Sequence, residues 1–177
     1  MTKVVMDTSS LISLGFIGLL YKSIEIIEII IPEVVKDEIK ELSKYKDKEG
    51  TAAIKVLDMI NNGKISVVSK IKNRKKAKEL LSKNVDYGES ECIICCSENN
   101  ITTLIMDDIN AAYGLEGFAI SRNIKMKISI AVLVELHSNK MIDDKQLVGY
   151  VKELIKTREW EGGVLEILAK RYLENFK

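Results

Sequence analysis

The 177-residue sequence predicts an α/β fold in which helices cover both faces of a parallel sheet. Two observations carry that reading. Short apolar segments alternate with segments of helical spacing, and the short segments are apolar at consecutive positions rather than at every second one. A third observation bears on function: two of the apolar segments, Val4-Val5-Met6-Asp7 and Leu104-Ile105-Met106-Asp107-Asp108, end in acids.

The elements follow in order. Residues 3–7 read as a buried strand. Residues 11–20 read as a helix, with Thr8, Ser9 and Ser10 as capping candidates. The dense β-branched run 24–31 is a second buried strand. Pro32 ends it and suits a helix start, where its missing N–H has no partner to lose. Glu33–Leu42 places Val34, Val35, Ile39 and Leu42 near helical spacing. Residues 51–60 form a helix stopped by Asn61-Asn62-Gly63, and 65–68 a short strand. Residues 74–81 form a basic helix. Asp86-Tyr87-Gly88-Glu89 then turns into a very apolar helix that runs through Cys96.

Residues 102–106 are a further buried strand, 109–118 a helix and 125–130 a strand. The remainder, 131–177, is mostly helical, with breaks near 141–144 and at Gly162-Gly163. The expected organisation is one domain over residues 1–135 with a C-terminal helical extension, 136–177, packed on it or continuous with it.

Composition removes several function classes. Lys plus Arg number 27 and Asp plus Glu 26, a net charge of +1, so no global field advertises a polyanion and any nucleic-acid surface is a local patch. Such a patch exists at Lys70-Ile71-Lys72-Asn73-Arg74-Lys75-Lys76-Ala77-Lys78. It reads equally as a solvated helix face or as a phosphate-holding surface through Lys72, Arg74, Lys75 and Lys76. It carries no aromatic for base stacking. Cys92, Cys95 and Cys96 share one apolar stretch and suggest packed thiols in a reducing compartment rather than disulfides or zinc. His137 is the one histidine, and there is no G-x-S-x-G, G-x-x-x-x-G-K or G-x-G-x-x-G segment. Asp7 comes too early for a signal-peptide core, and no apolar run approaches the ~20 residues of a membrane span. A cytoplasmic location is expected.

The acids carry the chemistry. In open parallel sheets the carboxyl ends of the strands line the ligand crevice, so Asp7 and Asp107-Asp108 are placed at one edge. Glu38 and either Glu89 or Glu91 can join them. Asp86 and Glu89 are also spaced as a capping box, which gives Glu89 a structural role and leaves Glu91 as an equal candidate. Crowded carboxylates tolerate one another when a divalent cation sits among them, and hard oxygen donors suit Mg2+ or Mn2+. Such a site serves phosphodiester hydrolysis.

Asp7-Thr8-Ser9-Ser10-Leu11-Ile12, Ile31-Pro32-Glu33-Val34-Val35-Lys36-Asp37-Glu38, Asp86-Tyr87-Gly88-Glu89-Ser90-Glu91 and Leu104-Ile105-Met106-Asp107-Asp108 occur in the order and spacing of PIN-domain signatures. The chain resembles that family over about residues 3–135. The resemblance implies a three-layer α/β/α sandwich and a metal-dependent ribonuclease. It implies Asp7 as the central metal ligand, Glu38 as second acid, Glu89 or Glu91 as third, and Asp108 or Asp107 as fourth, with Thr8 and Ser9 beside the metal. It also implies RNA as substrate, a homodimer, and kinship with toxins that are paired with an antitoxin protein. The alternatives are a catalytically inactive RNA-binding or scaffold module of the same fold and a metal-dependent phosphatase. Met106-Asp107 stands where relatives usually carry Thr, Ser or Asn, and Ile124-Lys125-Met126-Lys127-Ile128-Ser129 where many carry Gly-Thr.

Overall fold

In a computed structural model that describes residues 1–69, 71–82 and 84–174, the elements alternate along the chain. The first half comprises β1 (Thr2–Met6), α1 (Thr8–Phe16), α2 (Leu20–Ser23), β2 (Ile27–Pro32), α3 (Glu33–Leu42), α4 (Lys48–Asn61) and β3 (Ser66–Val68). The second comprises α5 (Arg74–Glu79), α6 (Tyr87–Glu98), β4 (Thr103–Ile105), α7 (Ile109–Ser121), β5 (Lys125–Lys127), α8 (Ile130–Ser138), α9 (Asp144–Thr157) and α10 (Val164–Glu174).

The five strands form one sheet in the order β3-β2-β1-β4-β5, and every pair is parallel. Val4 lies opposite Ile29 on one side of β1, and Val5 opposite Leu104 on the other. Val4, Val5, Met6, Ile29, Ile31, Leu104 and Ile105 are all buried. This is why the central strands read as continuous apolar runs: helices cover both of their faces. The edge strands differ, with Ser66, Lys125 and Lys127 exposed. Short, charged edges discourage pairing with another chain.

From β1 the chain steps outward through β2 and β3. It then returns to lay β4 against the opposite side of β1 and adds β5 beyond. The winding therefore reverses between β1 and β4. At such a reversal the connections leave toward opposite faces and open a crevice at the carboxyl ends of the two strands.

Three local expectations are corrected. The first helix starts at Thr8 and stops at Phe16 rather than spanning 11–20. Its cap is the Asp7 carboxylate, which accepts the Ser10 N–H, and not a hydroxyl of Thr8, Ser9 or Ser10. Gly18, at φ 68°, turns the chain beyond it. Ile24 and Ile26 belong to the approach, and the second strand begins at Ile27. The strand expected over 125–130 ends at Lys127 because its partner does: β4 supplies only Thr103, Leu104 and Ile105 for pairing. Ile130, buried, opens α8 instead, an apolar run that spacing alone does not assign to strand or helix.

Helix α6 packs against β1 and β2 and buries Cys92, Cys95 and Cys96 as free thiols. Helix α9 buries Leu147, Val151 and Leu154 and contacts α8 and α1. Among the described residues no helix is long and apolar enough to cross a membrane.

Candidate functional site

Asp7 is the first residue past β1, and its N–H still donates to the Ile105 carbonyl at 3.1 Å. The side chain is held at both oxygens. Oδ1 accepts the Ser10 N–H at 2.8 Å, and Oδ2 accepts the Ser9 hydroxyl at 2.5 Å. Asp7 is only 4% exposed. Burial, then the nearby charge of Asp107, pushes its pKa up to about 7 against the lowering effect of the Ser9 and Ser10 hydrogen bonds. A single residue thus caps a helix and presents a carboxyl group that is costly to ionise.

Helix α3 brings Glu38. Val35, Glu38 and Leu42 recur at helical spacing and line the same cavity as Asp7. The Thr8 hydroxyl donates to Glu38 Oε2. Burial raises the Glu38 pKa, Thr8 works against the rise, and Asp86 adds to it.

Helix α6 brings Glu89 through its capping box. Asp86 Oδ1 accepts the Glu89 N–H at 2.9 Å, and Glu89 Oε2 accepts the Asp86 N–H at 2.8 Å. Glu89 still lines the cavity. Its pKa is pushed up to about 7, by burial first and then by the charges of Asp86, Asp108 and Asp7. Between the two capping residues, Gly88 closes the packing: a Cβ there would collide with the Glu38 carboxylate. A glycine in a helix first turn is the sequence signal for such a close approach.

The two adjacent acids after β4 separate. Asp108 is exposed, lines the cavity and caps α7 by accepting the Ala111 N–H at 2.9 Å. Asp107 is buried and turned inward. Its Oδ2 accepts the Ser13 hydroxyl at 2.6 Å and its Oδ1 the Ser129 N–H at 2.7 Å, joining α1 to the start of α8. Successive side chains leave an extended segment on opposite sides, so only one of the pair faces the crevice. Burial raises the Asp107 pKa, and the Ser129 and Ser13 hydrogen bonds oppose the rise.

Glu91 is 4% exposed and is not among the residues lining the cavity. It faces Tyr87, whose hydroxyl it pushes upward through a hydrogen bond, and its own Oε1 is buried without a partner. The structure therefore brings Asp7, Glu38, Glu89 and Asp108 to one cavity and leaves Asp107 and Glu91 outside it. Thr8 and Ser9 line it with their hydroxyls engaged on Glu38 and Asp7. Lys72, Arg74, Lys75 and Lys76 do not line it; they lie on or beside α5, where Lys76 stacks 5.7 Å from the Phe118 ring centroid. Lys70 falls outside the described residues.

The cavity has a volume of about 240 Å3. Two of its residues carry no local sequence signal: Glu49, at the start of α4, and Arg158, at the end of α9. Each sits on a different helix from the other acids and meets the site only in the folded molecule.

Among the described residues no three His, Cys, Asp or Glu side chains form a ready metal cluster. The donors at the cavity are nevertheless of one kind, carboxylate oxygens. A Mg2+-like cation keeps several of its waters and takes one or two protein carboxylates, so it fits this set without a closed cage. The raised pKa values of Asp7 and Glu89 express a charge deficit that such a cation would relieve. A family model described as a PIN domain matches residues 3–164. No curated protein matches the chain.

Proposed function

The chain belongs to the PIN-domain family, whose members are generally nucleases and typically use divalent metals, and from that premise we propose a metal-dependent endoribonuclease. One observation carries the reading: Asp7, Glu38, Glu89 and Asp108, from four separate segments, line one cavity where the sheet winding reverses.

In this reading Asp7 and Asp108 hold Mg2+ or Mn2+, and Glu38 and Glu89 complete the donor set. Such a cation would supply Lewis-acid polarisation of a phosphoryl oxygen and a more acidic water for hydrolysis of the phosphodiester. The chain's own residues fix the donors. Ser9 and Ser10 set the Asp7 carboxylate, Thr8 holds Glu38, the capping box holds Glu89, and Gly88 leaves the Glu38 carboxylate its place. Asp107 is a positioning residue that ties α1 to α8 behind Asp7. The exposed cations Lys72, Arg74 and Lys75 supply phosphate contacts to an RNA strand beyond the cavity.

The test is cleavage of a mixed RNA pool with Mn2+ or Mg2+, beside EDTA and beside Asp7→Asn. The expected result is metal-dependent cleavage that falls by at least a hundredfold in the variant. RNA binding without cuts in any metal would favour an inactive RNA-binding PIN fold instead.

A further inference from the structure

The carboxylate cavity holds one cationic side chain among its described lining residues, Arg158. It arrives from the end of α9, far in chain order from every acid that lines the cavity. Its Nη1 donates to Glu49 Oε1 at 2.8 Å, its guanidinium lies 5.6 Å from the Phe16 ring centroid, and its side chain is only 17% exposed. Its Nε is buried without a hydrogen-bond partner.

The Arg158 charge also lowers the pKa of buried Asp107 against the effect of burial, but its pair with Glu49 is a weak structural device. Glu49 is half exposed, and an ion pair with one partner in solvent contributes little. A buried donor left unpaired costs more than such a pair returns. The fold nevertheless holds a planar, permanently charged fork at the mouth of a cavity lined by acids. A phosphodiester approaching those acids is repelled unless a cation meets it. A guanidinium matches two non-bridging oxygens of a phosphate with its planar set of N–H donors.

The geometry points to Arg158 as the residue that binds a phosphate of the nucleic-acid strand at the carboxylate site, held in the free protein by Glu49 as a stand-in anion. That the phosphate belongs to a nucleic-acid strand rests on the nuclease reading, and the binding role is measurable without turnover. Glu49 occupies Nη1 until the phosphate replaces it, so Glu49 opposes binding more strongly with Arg158 present than by its charge alone.

The experiment is fluorescence anisotropy with an unstructured single-stranded RNA, in the cleavage-blocked Asp7→Asn protein, over a salt series. Arg158→Ala is expected to weaken binding about tenfold and to reduce the slope of log K against log salt by about 0.7. Arg158→Lys is expected to keep the slope and recover part of the affinity. Glu49→Gln is expected to tighten binding, and to do so more when Arg158 is present than in Arg158→Ala. Thermal melting reports whether each variant folds. If Arg158→Ala does not fold, Arg158→Lys serves as the second background and is expected to shrink the Glu49→Gln effect.

Unchanged affinity and slope in folded Arg158→Ala overturn the proposal. So does a Glu49→Gln effect of equal size in both backgrounds, which is a field effect. Failure of the nuclease reading looks different: the unmutated protein cuts no RNA in any metal. A protein that cuts RNA while Arg158→Ala binds and cuts equally well defeats the Arg158 assignment alone.

Discussion

At the scale of single residues, neighbouring acids divide between the cavity and the scaffold. Asp7, at the end of β1, is buried and titrates near pH 7. Because its folded pKa is raised above the unfolded value of about 4, it favours the fold while protonated. That contribution is complete below pH of about 4 and is lost as pH rises through about 7. Melting in EDTA should therefore show a falling midpoint across this window. Asp7→Asn should reduce the fall without abolishing it, because the Glu89 pKa is also pushed up to about 7, and Mn2+ at pH 8 should restore the unmutated protein but not the variant. Asp107 and Asp108 part in the same way. Asp108→Asn keeps a good helix cap and should lose cleavage with little change in melting. Asp107→Ala strands the buried Ser129 N–H, while the Ser13 hydroxyl keeps the Ser9 carbonyl as acceptor, and should cost roughly 1–3 kcal/mol of stability, read by urea unfolding.

At the scale of elements, helix starts double as site walls. Helices α1, α6 and α7 each begin at a capping acid, Asp7, Asp86 and Asp108, and all three acids line the cavity. Glu89 illustrates why a capping role does not exclude another. A carboxylate has two oxygens, and Oε2 alone serves the Asp86 N–H. Glu89→Gln preserves the capping box, since Gln caps as Glu does. It should leave the melting midpoint within a few degrees and reduce metal-dependent cleavage by at least tenfold. Glu91→Gln, away from the cavity, should leave cleavage within a few-fold. A large cleavage loss in Glu91→Gln with Glu89→Gln active would reverse the assignment.

At the scale of the molecule, the C-terminal helices are proposed to continue the same folded unit rather than decorate it. Helix α8 runs across residue 135, and α9 lays Leu147, Val151 and Leu154 into the interior against α8 and α1. Burial of such side chains contributes about 1.5–3 kcal/mol each as an upper bound, comparable in sum with the stability of a whole domain. A chain ending at Ser138 is expected to be largely unfolded by circular dichroism and hydrogen exchange. A truncated chain that melts cooperatively near the full-length midpoint would show an independent domain over the first 135 residues.

The sequence alone reached the alternation of elements, the parallel sheet and the two acid-ended strands. All of these are local: apolar runs, turn residues and caps are written within a few positions of where they act. Glu38 is indicated by the family resemblance rather than by spacing, which reads it as readily on a solvated helix face. The sequence did not separate Asp107 from Asp108 or Glu89 from Glu91, since each choice depends on which side of a strand end or helix faces a crevice formed by other segments. Only the tertiary structure decided those orientations, paired Asp107 with Ser13 and Ser129, and carried Arg158 and Glu49 to the acids. The reason is physical: the site is a junction of elements distant along the chain. Its geometry and its raised pKa values come from burial and charge that exist only once those elements have packed.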